Sequence, residues 1–205
     1  MNPKEIDIIC YHSPCQDGSA SAWVASEFAK ENGLEFTYVP MSHNGENKMP
    51  EDMARKNILF VDYAPVDELI ETLKSTNTNF YILDHHITNQ KRMDGLSNCV
   101  FDMNKSGAGL TWEYFYPGIE MPLFLQMIQD RDIWTFKIND TRHFCDGLFA
   151  HTCLTESRDE LFNLFTDIYY NPGKIQEICQ LGSILYKKKM NRIKRIAKHS
   201  SEQTY

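Results

Sequence analysis

Residues 79–88, NFYILDHHIT, join a short apolar run to three polar side chains, Asp84, His85 and His86. An apolar run of this length, bounded by polar residues, is typical of a buried strand. We therefore predict a strand at residues 79–84 that ends in an aspartate and is followed directly by two histidines.

The same alternation of apolar strands and helical stretches extends over the first hundred residues. Strands are predicted, in chain order, at residues 5–11, 34–40, 57–62, 79–84 and 98–103. Helices are predicted between them at residues 19–31 and 66–75. Continuous apolar strands that alternate with helices indicate a parallel sheet with both faces covered. The predicted fold class is therefore α/β, a parallel β-sheet flanked by helices.

Helical patterns dominate after about residue 105. Three stretches have apolar residues at helical spacing: AGLTWEYFY (108–116), MPLFLQMIQ (121–129) and DELFNLFTDIYY (159–170). From Pro172 onward one long amphipathic helix is predicted, and its second half is strongly basic. We therefore divide the chain into an α/β core, residues 1–136, and a helical extension, residues 137–205, that ends in this long basic amphipathic helix.

The composition limits the classes of partner. A net charge of −7 argues against duplex-specific nucleic-acid binding, which normally needs a broad basic surface. No apolar run approaches the roughly 18 residues of a membrane span. The amino terminus also lacks the basic start and long apolar stretch of a secretory signal. The sequence therefore predicts a cytoplasmic protein without a membrane partner, and it leaves the oligomeric state open, a homo-oligomer included.

Polar side chains stand at the carboxyl ends of three predicted strands. They are His12, with Asp17 in the loop that follows, then Asp62, and then the group Asp84, His85 and His86. In open parallel sheets, ligands bind in the crevice outside the carboxyl ends of the strands. The pattern therefore predicts a functional site in which imidazoles and carboxylates from separate strands meet at one edge of the sheet.

A mixture of histidines and several carboxylates suits Mn²⁺, Mg²⁺ or Fe²⁺ better than a structural zinc ion. Closely spaced carboxylates repel one another, and one or two divalent cations would remove that conflict. Such ions activate water and hold phosphoryl oxygens, so the implied chemistry is hydrolysis. Either Asp130 or Asp132, in IQDRDIWTF, could complete the metal shell. We favour Asp130 because it directly ends the apolar helical run.

These segments resemble, in order, the motifs of the DHH phosphoesterase superfamily, which includes RecJ exonucleases, nano-RNases and exopolyphosphatase-like proteins. The first, YHSPCQDGSASAWVA (11–25), is similar to a branch with an HxxCxDG pattern. The others are FVDYAP (60–65), ILDHHIT (82–88) and IQDRDIW (128–134). KSGAGLTWEYF (105–115) is similar to the small-residue helix start that follows the third motif. The resemblance covers roughly residues 5 to 136, and four motifs in the right order are a specific signal.

The resemblance implies a DHH-type catalytic domain and a manganese centre. His12 and Asp62 would bind one metal ion, and Asp62 would bridge to a second. The ligands of the second ion would be Asp17, Asp62, His85 and Asp130. His86 would be catalytic and face the scissile phosphate, and Asp84 would orient the histidines.

Two further residues are assigned less firmly from the motifs. Cys15 stands where many members of the superfamily have an acid, so it is a weaker candidate ligand, as is Asp132. Ser106 is either the N-cap of the helix that follows or a direct substrate contact, and we favour the cap.

The expected reaction is hydrolysis of a phosphodiester or phosphoanhydride. The substrate would be a phosphorylated small molecule or a short oligonucleotide, and a cyclic dinucleotide and polyphosphate are among the candidates. The alternative is a catalytically weak or silent module used for binding or assembly, or the catalytic half of a longer enzyme. The second alternative arises because the sequence shows no Gly-rich motif of the domain with which this superfamily grips its substrate.

Overall fold

A computed structural model of the protein describes residues 1–42, 47–152 and 157–202. The chain divides into two compact units, Met1–Thr135 and Phe136–Tyr205. The first unit contains the sheet and all of the candidate site residues, whereas the second consists of helices.

A five-stranded parallel sheet with the strand order β2-β1-β3-β4-β5 forms the centre of the first unit. The strands are β1 (Ile8–His12), β2 (Thr37–Met41), β3 (Asn57–Val61), β4 (Asn79–Asp84) and β5 (Cys99–Phe101). The predicted fold class, a parallel sheet flanked by helices, is confirmed. The first two strands begin three residues later than predicted, because a 3₁₀ turn occupies Pro3–Glu5 and Gly33 caps the helix that precedes β2.

The register of the strands determines where the candidate site lies. Tyr11 of β1 pairs with Val61 of β3, and Val61 pairs with Leu83 of β4, so these residues form one row across the sheet. The residues that follow them, His12, Asp62 and Asp84, therefore begin the next row, at the carboxyl ends of three adjacent strands. The sheet register thus brings together side chains that lie as much as 72 positions apart in the sequence.

The helices of the first unit are α1 (Gln16–Asn32), α2 (Asp67–Ser75), α3 (Gln90–Met93), α4 (Gly107–Phe115) and α5 (Leu123–Asp132). Helix α1 begins three residues before the predicted start, so Asp17 lies in its first turn and not in a loop. An acidic residue is stabilised in the first turn by the helix dipole. The small residues of α1 allow it to pack closely on β1 and α4. The ring of Trp23 in α1 packs against Phe124 of α5, with 5.2 Å between the ring centroids.

The second unit contains α6 (Thr141–Thr152), α7 (Arg158–Tyr170) and α8 (Gly173–Glu202). Helix α8 is the long helix predicted from Pro172 onward. Helix α6 was not predicted. It packs closely on α8, where a Cβ atom at Gly147 or Gly182 would overlap a backbone carbonyl of the other helix. No helix in the described ranges is both long and apolar enough to cross a membrane.

Candidate metal centre

Asp62 follows β3 directly and occupies the centre of the candidate site. Its backbone has φ +56°, in the left-handed region, which Asp tolerates better than most residues. Its N–H group donates a hydrogen bond to the Leu83 carbonyl at 2.9 Å. The residue is 1% exposed. Unusual backbone conformations that persist in folded proteins often occur at functional sites, and this one fixes the main chain of Asp62 against β4.

The two carboxylate oxygens of Asp62 face different histidines. Oδ2 lies 3.3 Å from His12 Nδ1, and Oδ1 lies 3.2 Å from His85 Nε2. Oδ1 is also 3.9 Å from His86 Nδ1. The Asp62 carboxylate therefore lies within 4 Å of three imidazoles, one at the end of β1 and two directly after β4.

Two groups of potential metal ligands meet around Asp62. The first contains His12, Asp62 and His86, and the second contains Asp17, His85 and Asp132. Within each group, the ligand atoms all lie within 4.8 Å of one another. Each group offers both imidazole nitrogen and carboxylate oxygen, the donor types that suit Mn²⁺, Mg²⁺ and Fe²⁺. Because Asp62 also contacts His85, it lies between the two groups, as a bridging ligand would.

Asp17 is held in place by the start of α4. Its Oδ2 accepts a hydrogen bond from Gly107 N at 2.6 Å, and its Oδ1 accepts one from Ala108 N at 3.1 Å. The amino end of a helix stabilises negative charge. Burial, followed by the charges of Asp62 and Asp132, nevertheless raises the pKa of Asp17 well above its usual value. The carboxylate is therefore positioned by the backbone but crowded by like charge.

Asp62, His85 and Asp132 also have shifted pKa values. Burial alone would raise the pKa of Asp62, but hydrogen bonds to His12 and His85 hold it at about 2. Burial lowers the pKa of His85, yet the neighbouring acids outweigh it and raise this pKa to about 9. The pKa of Asp132 is raised by burial and by Asp62. Without a cation, such a cluster relieves its repulsion by holding protons, and a divalent ion would replace them.

Asp84 is fully buried and accepts three hydrogen bonds from the histidines that follow it. Its Oδ1 lies 2.8 Å from His85 N, 3.3 Å from His86 N and 2.7 Å from His86 Nδ1. The bond to Asp84 raises the pKa of His86 despite partial burial. This geometry suits the orienting role expected for Asp84. His86, which we expect to face the scissile phosphate, lies among the potential ligands beside His12.

The preference for Asp130 as the acid from α5 is corrected by the geometry. Asp132 Oδ2 lies 3.2 Å from His85 Nε2, whereas Asp130 belongs to neither group of potential ligands among the described residues. Asp130 Oδ1 accepts a hydrogen bond from Thr135 Oγ1 at 2.6 Å. Residues two apart on a helix face different directions. Asp132, the last residue of α5, is the acid that the structure places beside His85.

If Asp132 is the acid of the site, two matched substitutions should differ in their effect on metal affinity. Asp132→Asn should lower the affinity for Mn²⁺ about tenfold or more, because it removes a ligand and not only an outer contact. Asp130→Asn should leave that affinity within about threefold of wild type, since losses of tenfold or more are typical of residues in or just behind a metal shell. Titration calorimetry with Mn²⁺ measures both. A large loss confined to Asp130→Asn would restore the original preference.

Cys15 and Ser106 take different roles in the structure. Cys15 precedes α1, and burial, with the charges of Asp62 and Asp17, raises the pKa of its thiol. Among the described residues, Cys15 belongs to neither ligand group. Ser106 is fully buried and accepts a hydrogen bond from Gly109 N at 3.2 Å. The prediction that Ser106 is the N-cap of the next helix, α4, is confirmed.

Several residues that support the centre were not predicted. Asn89 Nδ2 donates a hydrogen bond to Asp84 Oδ2 at 2.6 Å, and Gln129 Oε1 accepts one from Ser106 N at 3.1 Å. Gly107 leaves no room for a side chain, because a Cβ atom there would lie 2.7 Å from Asp62 Oδ1. A single polar residue or glycine produces no periodic signal, so the sequence alone does not identify these contacts.

Comparisons with known proteins show similarity without a described function. No family model matches the chain. It is 35% identical, over 156 residues, to uncharacterized protein R106 of Acanthamoeba polyphaga mimivirus, a match that covers 70% of this chain and 37% of that protein. A crystal structure of an uncharacterized protein from Helicobacter pylori G27 has a TM-score of 0.58 at 14% identity, over 87% of this chain and 63% of that one. The second likeness shows the fold, and the chain spans just over a third of the mimivirus relative.

Proposed function

We propose that this protein is a divalent-metal-dependent phosphohydrolase that cleaves a phosphodiester or phosphoanhydride bond. The observation that carries the proposal is the pair of ligand groups at the carboxyl edge of the sheet, joined by Asp62. Together the two groups bring three imidazoles and three carboxylates to one edge of the sheet. Clusters of strongly perturbed groups of this kind are typical of functional sites.

The residues present suit two neighbouring divalent cations. His12, Asp62 and His86 would hold one, and Asp17, His85 and Asp132 would hold the other. The shared carboxylate of Asp62 would contact both. Bound there, such ions lower the pKa of a water molecule and hold the oxygens of a transferring phosphoryl group. We propose Mn²⁺, with Mg²⁺ or Fe²⁺ as alternatives, because the mixed nitrogen and oxygen donors suit all three.

The protein's own groups contribute position and charge. Asp84 fixes the backbone of the two histidines and the ring of His86, so this ring is held in position before a ligand binds. Backbone N–H groups of α4 hold Asp17 in the same way. The cluster is acidic, and an anionic substrate would be repelled unless cations neutralise it. This makes binding of a phosphate substrate dependent on metal.

The order of the sequence motifs supports a place for this chain among the DHH phosphoesterases. On that proposal the substrate is a phosphorylated small molecule or a short oligonucleotide, such as a cyclic dinucleotide, or polyphosphate. The chain is acidic overall, which is in keeping with a small or single-stranded substrate and not with a duplex.

The proposal predicts that Mn²⁺ stabilises the fold. A ligand that binds only the native state adds about 2.7 kcal/mol to the free energy of unfolding at 100 times its dissociation constant. We therefore expect the melting temperature to rise with Mn²⁺ and to fall back when the ion is chelated. Differential scanning calorimetry measures the shift, and the same samples, tested on dinucleotides and on polyphosphate, report hydrolysis. A melting temperature that stays constant up to millimolar Mn²⁺ would contradict the proposal.

A second candidate function has one observation in its favour. The chain spans only 37% of its mimivirus relative, which suits a metal-binding module that acts within, or together with, another domain. Metal binding without turnover of any of these substrates would favour this candidate, a silent module or the catalytic half of a larger enzyme. Metal-dependent turnover by this chain alone would exclude a silent module.

A further inference from the structure

A line of side chains leads away from the metal centre, behind the two histidines. Asp84 Oδ2 accepts the amide N–H of Asn89 at 2.6 Å. Asn89 Oδ1 in turn accepts a hydrogen bond from Arg92 NH1 at 3.1 Å. Both Asp84 and Asn89 are buried, with 0% and 6% exposure. Each atom of the Asn89 amide therefore has a partner of the matching kind.

Arg92 determines which way the Asn89 amide faces. A guanidinium group only donates hydrogen bonds, so it must face the carbonyl oxygen of the amide. The NH₂ group then faces the carboxylate of Asp84, which only accepts hydrogen bonds when ionised. The opposite amide orientation would place two oxygens against each other at Asp84 and two donors against each other at Arg92. Arg92 thus makes Asn89 a donor toward Asp84.

Asn89 in turn fixes the plane of the Asp84 carboxylate. Oδ1 of Asp84 accepts hydrogen bonds from His85 N, His86 N and His86 Nδ1, and Oδ2 accepts one from Asn89 Nδ2. Rotation of the carboxylate would break the bond at Oδ2 and move Oδ1 away from the His86 ring. The position of the imidazole therefore depends on a contact on the far side of Asp84.

We propose that Asn89 and Arg92 are positioning residues of the metal centre: Arg92 orients the Asn89 amide, and Asn89 holds the Asp84 carboxylate that places His85 and His86. The inference rests on the proposed function, since it concerns the affinity of these histidines for a metal ion. Among the described hydrogen bonds, neither side chain is bonded to a member of the two ligand groups, so both would act through Asp84.

A role limited to the attachment of α3 to α2 is the simpler reading of Arg92. Its Nε lies 3.2 Å from Asp67 Oδ1, at the start of α2. The Asp67 side chain is 80% exposed, however, and exposed ion pairs contribute little to stability. The contact of Arg92 with the buried amide of Asn89 is the one that reaches the centre.

The first test uses Asn89→Asp, which keeps the shape and the acceptor for Arg92 but replaces the donor to Asp84 with a second carboxylate oxygen. Residues just behind a metal ligand typically change affinity 10–100-fold, so the dissociation constant for Mn²⁺ should rise within about that range. Titration calorimetry on the full chain measures it. Melting in the presence of a chelator reports the stability of the metal-free fold separately.

The second test separates orientation of the amide from general damage to the fold. Arg92→Met removes the donor to Asn89 and should weaken Mn²⁺ binding several-fold to about tenfold, the lower end of that range. Arg92→Lys keeps a cationic donor and should restore most of the affinity. Lys74→Met is the matched control, because it breaks an exposed ion pair of α2, Lys74 to Glu71 at 2.8 Å, that does not lead to Asp84. It should bind Mn²⁺ like wild type.

The outcomes distinguish the inference from the proposed function. Wild-type protein that binds no Mn²⁺ would refute the proposed function and, with it, this inference. Wild-type protein that binds Mn²⁺, with equal affinity in Asn89→Asp and Arg92→Met, would overturn the inference alone, even if both variants melt at lower temperature. Loss of affinity in these two variants, with recovery in Arg92→Lys and none lost in Lys74→Met, would support it.

Discussion

Replacing Asp62 by Asn should lower the affinity for Mn²⁺ by at least about 100-fold, the upper end of what an outer residue costs. The two oxygens of Asp62 face His12 and His85 at 3.3 and 3.2 Å, so this side chain contacts both ligand groups. Asn has a similar shape but lacks the negative charge, and it replaces one acceptor oxygen with a donor. Metal-dependent hydrolysis of any substrate should be lost with the metal.

The control for this substitution is Asp167→Asn. Asp167 is a half-exposed acid of α7 that pairs with Lys174 at 3.4 Å and belongs to neither ligand group. Asp167→Asn removes the same charge from the chain. Titration calorimetry should show that its Mn²⁺ affinity equals that of wild type. If Asp62→Asn also binds Mn²⁺ like wild type, Asp62 is a structural carboxylate held by histidines, and the bridging assignment fails.

Replacing Gly107 by Ala should damage the same centre without removing any charged group. The new methyl group would overlap the Asp62 side chain, 2.7 Å from Oδ1 and closer still to Cβ. Asp62 cannot easily move away, because its backbone is in the left-handed region and its N–H group is hydrogen-bonded to Leu83 of β4. Inserting a methyl group into a packed interior typically costs about 1–3 kcal/mol. We expect a loss of this size in the free energy of unfolding, together with weaker Mn²⁺ binding.

Gly173→Ala provides the matched control for Gly107→Ala. A Cβ atom at Gly173 would have no neighbour within 4 Å, and the residue opens α8. Alanine is favoured over glycine in a helix by roughly 0.5–1 kcal/mol, so this variant should be as stable as wild type or slightly more stable. Urea denaturation measures both variants. Equal stability and equal Mn²⁺ affinity in Gly107→Ala would show that α4 and Asp62 are not in close contact.

The fold was predictable from the sequence because buried parallel strands leave a simple signal. Five short apolar runs separated by helical patterns produced five strands, and the polar residue after each central strand lies at the shared edge. Helix ends were less predictable, since caps and local contacts decide them. Helix α1 starts at Gln16, whereas the small residues from Ser19 onward had marked its start.

The choice between Asp130 and Asp132 shows the same limit at the site itself. The apolar helical pattern stops at Gln129, but the hydrogen-bonded helix α5 extends as far as Asp132. One helical half-turn separates the two acids, and only three-dimensional placement decides which faces His85. Helix α6 was missed for a related reason: its glycine, Gly147, weakens the helical pattern but is required where α8 approaches closely.

The hydrogen bonds between Asp17 and the start of α4 have a consequence for folding. The bond from Gly107 joins residues 90 positions apart in the sequence, and contacts of such separation form only after much chain entropy has been lost. We therefore expect the two ligand groups to come together only when α1, the strands and α4 are in place. No short fragment of the chain contains the centre, and a metal ion held there would report that the whole of the first unit has reached its native topology.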